Sequence, residues 1–79
     1  MNKKPDFIRA KWDDEANVFF ASSEDVPGLA TEGETLEGLI EKLKIMIPEL
    51  LEANGMDVGP ETSFEVFTRR FEIAHRVAV

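Results

Sequence analysis

The sequence contains no cysteine and only one histidine, and this excludes several kinds of site at once. Without cysteine the chain has no disulfide bond, no thiolate nucleophile and no cysteine-based zinc site. His75 has no second histidine to help it hold zinc and no glycine-elbow serine to activate. The five glycines match neither a phosphate loop nor a dinucleotide-binding fingerprint. We therefore expect no catalytic residue, no metal and no cofactor, and we expect the protein not to be an enzyme.

Long apolar runs and clustered basic residues are also missing. No apolar run approaches the roughly 20 residues that span a bilayer. Pro5 and Asp6 stand where a signal peptide would carry its apolar segment, so we expect a cytoplasmic protein without membrane contact. The net charge is −7, and the few Lys and Arg residues are scattered along the chain. Direct nucleic-acid binding is therefore not expected, because that affinity comes from clustered cations.

An acidic domain is better suited to a basic protein partner, since complementary fields speed association. Ordinary solubility explains the same charge equally well. The composition, 43% hydrophobic and 32% charged, is typical of a folded globular protein. The length predicts a single domain over residues 1–79, and residues 1–5 are expected to be a flexible N-terminus.

The first half of the sequence predicts three short strands. Residues 6–12 alternate, with Ile8, Ala10 and Trp12 on one face and Phe7, Arg9 and Lys11 on the other. The polar residues 13–17 suit a hairpin loop, so residues 18–22 should form a second strand antiparallel to the first. Residues 29–32 are consistent with a short third strand.

Residues 36–51 predict an amphipathic helix. Thr35 is a suitable N-cap, and the pair Asn54-Gly55 is typical of a helix C-terminus. The apolar residues between them recur at helical spacing and form one stripe: Leu36, Leu39, Ile40, Leu43, Met46, Ile47, Leu50 and Leu51.

The last segment, residues 63–78, fits two structures. With a period of two, alternate residues from Phe67 to Val77 share one face of a strand. A period of 3.6 also fits and would give a helix, for which Thr62 and Glu65 have capping-box spacing. The aromatic and β-branched content favours the strand.

The second predicted strand has apolar residues on both faces. Val18 and Phe20 point to one side, and Phe19 and Ala21 to the other. One helix covers only one face of a sheet, so the uncovered apolar residues need another surface. A second copy of the chain is the simplest candidate, and exposed single aromatics are the alternative. We expect the dimer or partner interface to include Phe19, Glu24, Asp25, Phe67 and Phe71.

The carboxylates of Asp13, Asp14 and Glu15 are the strongest candidates for metal chemistry. Nucleases with two metal ions need carboxylates that converge from separate elements. These three residues are consecutive in a predicted turn, where their side chains diverge into water. A solvated loop is therefore favoured over a metal site.

Four short motifs, taken together in order and spacing, resemble a family. They are Trp12-Asp13-Asp14-Glu15-Ala16, Glu24-Asp25-Val26-Pro27-Gly28-Leu29-Ala30-Thr31-Glu32, Thr35-Leu36-Glu37 and Met46-Ile47-Pro48-Glu49-Leu50-Leu51. Over roughly residues 6–55 the chain resembles a HicB-like domain and, more narrowly, the DUF1902 group.

The resemblance implies a partial RNase H-like α+β fold of the order β-β-β-α-β, in which one helix packs on one face of the sheet. HicB proteins are antitoxins that cover a small basic RNA-cleaving toxin, and many carry a C-terminal DNA-binding module. We expect no such module within these 79 residues.

Together, the residues and the resemblance predict a homodimeric, non-catalytic protein-binding module, with a HicB-type antitoxin as the leading hypothesis. An orphan regulatory or structural domain with another partner is the alternative. A metal-dependent nuclease ranks last.

Overall fold

The computed structural model describes residues 4–78. Residues 1–3 of the predicted flexible N-terminus, together with Val79, lie outside the described residues. The elements follow the order β-β-β-α-β. They are β1 (Asp6–Asp13), β2 (Val18–Ser22), β3 (Thr31–Gly33), α1 (Leu36–Ala53) and β4 (Phe64–Arg69).

The four strands form one mixed sheet of order β3-β2-β1-β4. β1 pairs antiparallel with β2, and β2 pairs antiparallel with β3. β4 arrives after the helix and pairs parallel with the other side of β1. This arrangement follows from the connections, because a short hairpin joins antiparallel neighbours whereas a helical crossover allows parallel ones. The predicted α+β fold is confirmed.

Helix α1 begins and ends where its caps predict. The Thr35 hydroxyl accepts a hydrogen bond from the Gly38 amide at 3.0 Å, which satisfies one of the unpaired amides of the first turn. Asn54 is the C-cap, and Gly55 follows with φ of +74°, a conformation that glycine adopts without steric cost. Pro48 lies inside the helix, so the bond to the Lys44 carbonyl is missing there.

The core lies between the helix and one face of the sheet. The helix buries four residues, each four positions after the last: Leu39, Leu43, Ile47 and Leu51. They pack in one cluster with Ile8, Ala10 and Ala21 of the sheet and with Val26 and Leu29 of the loop that follows β2. Burial of each large aliphatic side chain contributes about 1.5–3 kcal/mol. We call this side of the sheet the covered face.

Gly33 at the end of β3 permits the close approach of helix and sheet. A Cβ atom at this position would lie 2.9 Å from the Leu39 amide nitrogen. Even alanine at this position would push the start of the helix away from β3. The glycine therefore sets the distance at which α1 packs.

The structure resolves the ambiguous last segment and shifts two other boundaries. Residues 64–69 are a strand, so the helical alternative is wrong for them. Residues 70–78, which the alternation would extend as strand, form neither helix nor strand. The third strand is Thr31–Gly33, rather than residues 29–32.

Phe19 was expected at an interface on the uncovered side of the sheet, but it lies on the covered face. It is opposite Trp12 in the register of β1 and β2, and the two rings meet edge to face with centroids 4.9 Å apart. Phe19 also packs against the buried cluster. The neighbouring Phe20 points the other way and is 47% exposed.

Phe19→Glu should therefore lower the free energy of unfolding by about 2 kcal/mol or more, because it places a carboxylate among apolar side chains and removes the ring pair. Phe20→Glu is the matched control and should change stability by less than about 0.5 kcal/mol. Urea unfolding followed by circular dichroism measures both. Equal stability of the two variants would contradict the placement of Phe19.

Candidate functional site

The side of the sheet opposite α1 carries an aromatic and cationic surface. We call it the open face. Its members are the outward residues of three strands: Phe7, Arg9 and Lys11 of β1, Val18, Phe20 and Ser22 of β2, and Glu65, Phe67 and Arg69 of β4. No element within residues 4–78 packs over this face as α1 packs over the other.

The open face carries an aromatic pair that joins β1 to the edge strand β4. The rings of Phe7 and Phe67 have centroids 5.4 Å apart and are tilted by 36°. The Arg9 guanidinium lies 5.8 Å from the centroid of the Phe7 ring. Phe67 is 66% exposed, so the pair presents much of its apolar area to solvent. Such an exposed aromatic cluster is typical of a binding surface.

The loop after β2 holds one end of this surface. Asp25 Oδ2 accepts a hydrogen bond from the Phe7 amide at 2.8 Å, and Ser23 Oγ donates to the Phe7 carbonyl at 2.7 Å. Ser23 Oγ also accepts from the amides of Asp25 and Val26. These bonds continue the pairing of β1 beyond the end of β2, and the adjacent buried Val26 anchors the loop in the core.

A shallow depression of about 250 Å³ lies between this loop and the strands. Phe7 and Arg9 form its floor, and residues 22–25 form its wall. The exposed carboxylate of Glu24 faces solvent beside it. The loop thus adds acidic groups to one end of an aromatic and cationic surface.

The hairpin after β1 supplies the acidic groups at the other end. Asp13 Oδ1 accepts from the amides of Glu15 and Ala16, at 3.0 and 3.3 Å, and so stabilises the turn. Asp14 Oδ1 accepts from the Trp12 indole nitrogen at 2.6 Å. The turn closes through Asn17, which adopts a positive φ of 57°. These carboxylates are therefore engaged in local structure and do not converge on one point.

Three of the five predicted interface residues meet around Phe7. Glu24 and Asp25 line the depression, and Phe67 stacks on the same ring. Phe19 lies on the covered face, and Phe71 lies beyond the end of β4, 81% exposed. The sequence reasoning omitted Phe7, Arg9 and Lys11 as candidates. The alternation of β1 already placed them opposite Ile8 and Ala10, which was the available signal.

The described residues offer neither a metal cluster nor a membrane span. Within residues 4–78 no group of three or more histidine or carboxylate side chains could hold a metal ion. In the same part of the chain, no helix has both the length and the apolar character to cross a membrane.

The hydrogen bonds of Ser23 in the loop after β2 lead to a prediction about stability. Ser23→Ala removes one donor and one acceptor that together satisfy three backbone groups, so it should destabilise the fold by about 1–3 kcal/mol. Ser22→Ala is the matched control, since Ser22 is exposed at the adjacent position of the chain, and it should be nearly neutral. Thermal unfolding of both variants checks this, and a neutral Ser23→Ala would contradict the role of the loop.

Comparison with known proteins adds a family and a structural relative. The family described as "Domain of unknown function (DUF1902)" matches residues 6–77. The chain is also similar to a solved structure, described as the crystal structure of hypothetical protein TTHA1013 from the extremely thermophilic bacterium Thermus thermophilus. The two share 44% sequence identity with a TM-score of 0.78, over 90% of this chain and 100% of that one. A search of curated proteins found no match.

The family match extends from the first residue of β1 through the sheet and helix and past the end of β4. The structural match covers most of the same chain. The chain therefore belongs to the DUF1902 family.

Proposed function

We propose that this domain is a non-catalytic protein-binding module that docks its partner on the open face. The observation that carries the proposal is the Phe7–Phe67 pair, which joins β1 to the edge strand β4 and leaves Phe67 66% exposed. Aromatic residues are enriched in protein interfaces, where a few well-packed residues supply most of the binding energy. A pair held by strand pairing loses little conformational freedom on binding.

The charges around this pair are arranged along the direction of β1. Arg9, Lys11 and Arg69 lie in the middle of the open face, beside the aromatic rings. Carboxylates lie at both ends, with Glu24 and Asp25 next to Phe7 and the Asp13 turn at the far end of the strand. Because β1 advances by six residues from Phe7 to Asp13, the two acidic ends are separated by roughly 20 Å.

This layout supports a partner with basic groups at its edges and an apolar patch near one of them. Carboxylates at the ends would attract the basic groups, and Phe7 with Phe67 would cover the apolar patch. The central cations would repel a uniformly basic surface, which gives the site selectivity. The HicB antitoxins that the sequence resembles bind a partner of this kind, a small basic RNA-cleaving toxin. We propose that the domain covers a protein of this class.

The side-chain contacts of the acidic turn support the non-catalytic part of the proposal. A two-metal nuclease needs carboxylates free to converge on ions about 4 Å apart. Asp13 and Asp14 instead accept hydrogen bonds from their own turn and from Trp12. Asp25 likewise accepts from a backbone amide.

The test compares two apolar residues of equal exposure on opposite sides of the molecule. Phe67 on the open face and Ile45 on the solvent side of α1 are both 66% exposed. Phe67→Asp should weaken binding of a small basic HicA-type toxin from the same genome by about 30-fold or more, the loss of one central contact. Ile45→Asp should leave the affinity unchanged. Isothermal titration measures both, and growth of cells expressing the toxin provides the second readout.

Two outcomes would reject the proposal. One is that no toxin of this class binds the unmodified domain or is neutralised by it. The other is that a fluorescent single-stranded RNA binds the domain, with an affinity that falls steeply with salt and is lost in Arg9→Ala. That result would show that the cations and rings of the open face bind nucleic acid.

A further inference from the structure

Strand β4 continues past the sheet to which it belongs. Its last pair with β1 joins Arg69 to Lys11, in a parallel register. Two residues farther on, Phe71 would be level with Asp13, where β1 ends and the hairpin turns away. From residue 72 onward, no strand of the described sheet therefore lies beside the chain. We call residues 70–78 the C-terminal arm.

The first residue of the arm, Arg70, is held against the sheet, and this sets the direction in which the arm leaves the domain. The Arg70 guanidinium lies over the Trp12 ring, 4.0 Å from its centroid, on the covered side of the sheet. This placement is the next step in the β4 register, since Thr68 lies opposite Ala10. Arg70 also forms an ion pair with Glu72. The arm thus leaves the domain along the line of β4, and the molecule measures 60 Å in its longest direction against 27 and 19 Å in the others.

The arm has the sequence of a strand, but no strand within residues 4–78 pairs with it. Every residue from 70 to 78 is exposed. Its odd-numbered apolar residues continue the open-face pattern of Phe67: Phe71 is 81% exposed, Ile73 65% and Val77 83%. No glycine or proline interrupts the chain after Pro60. An alternating apolar segment with unpaired backbone groups is a template for strand pairing.

The charge of the arm is opposite to that of the domain. Residues 70–78 contain two arginines and one glutamate, whereas the other 15 acidic residues precede them. The complementary surface for a basic arm is therefore the acidic domain of another copy. The outer edge of β4, which has no further strand beside it within residues 4–78, is also available on that copy.

We propose that the arm pairs antiparallel with β4 and the arm of a second copy, so that two sheets join edge to edge about a two-fold axis. The axis is perpendicular to the sheet, because an axis of this direction places two identical strands side by side and antiparallel. This axis places odd-numbered residues of one copy opposite odd-numbered residues of the other. The odd-numbered apolar residues of both arms therefore lie together on the open face. In this dimer the arm of each copy pairs with the β4 edge of the other, so both arms and both edges gain a neighbouring strand. The result is an eight-stranded sheet with both helices on one side.

The first test is the mass of the full chain in solution. Sedimentation equilibrium should give about twice the 8.9 kDa of one chain. The double variant Phe71→Asp with Ile73→Asp should raise the dimer dissociation constant by about 100-fold or more, because two central apolar contacts are lost in each copy. Its circular dichroism and thermal unfolding midpoint at low concentration should match those of the parent, since residues 70–78 are all exposed and the described core is built without them. Ile45→Asp is the control and should remain dimeric.

The second test uses the absence of cysteine in the sequence. Single substitutions Phe71→Cys, Ile73→Cys, His75→Cys and Val77→Cys each introduce the one thiol of the chain. The position nearest the two-fold axis should form a disulfide-linked dimer under mild oxidation, because only there do identical residues approach within about 7 Å between Cα atoms. Phe20→Cys and Ile45→Cys should not cross-link.

Three results would overturn the proposal. They are a monomeric mass throughout a dilution series, a dimer that the double variant does not weaken, and cross-linking at Phe20→Cys with none along the arm. The last result would mean that two open faces stack. The toxin-binding experiment varies Phe67, which lies on β4, the strand that pairs with the partner's arm in the proposed dimer. The mass of Phe67→Asp is therefore measured as well: lost toxin binding in a variant that remains dimeric concerns the open face alone, and a monomeric variant that still binds toxin concerns the arm alone.

Discussion

A single amphipathic helix has to cover a four-stranded sheet, and most other features of the structure follow from that constraint. The buried residues of α1 recur every four positions, and all of them pack against the covered face. The sheet offers Ala10 and Ala21 as direct neighbours at its centre, and both are buried. Small side chains at this point leave space for the leucines of the helix. Gly33 does the same at the edge. The consequence of this close fit is a second face with no cover among the described residues.

The elements with a local cause could be predicted from the sequence. The Thr35 cap, the stripe of α1 and the Asn54-Gly55 end are encoded within a few residues of where they act. The faces of β1 were also predictable, because polar and apolar residues alternate there. In β2 four consecutive apolar residues carry no such information. Only the register with β1, which sets Phe19 opposite Trp12, decides which ring is inside.

The end of β4 could not be predicted, because its cause is not local. The period-two pattern from Phe67 to Val77 passes through Arg69, and neither glycine nor proline stops a strand in that stretch. The last pair joins Arg69 to Lys11, and β1 reaches its hairpin at Asp13, so the described sheet has no strand for the chain to pair with from residue 72 onward. For the candidate site, the sequence placed Glu24, Asp25 and Phe67 at an interface but did not indicate that they lie close together. Their meeting point, Phe7, depends on hydrogen bonds from the loop after β2 to the first residues of β1.

Trp12, the one tryptophan of the sequence, lies where three parts of the molecule meet. Its indole nitrogen donates to Asp14 in the hairpin, its ring edge meets Phe19, and Arg70 at the root of the arm lies over its face. A guanidinium over an indole changes the electrostatic environment of the ring's excited state. The emission of this single fluorophore therefore reports on the arm's position without any added label, and the protein carries its own optical probe of that joint.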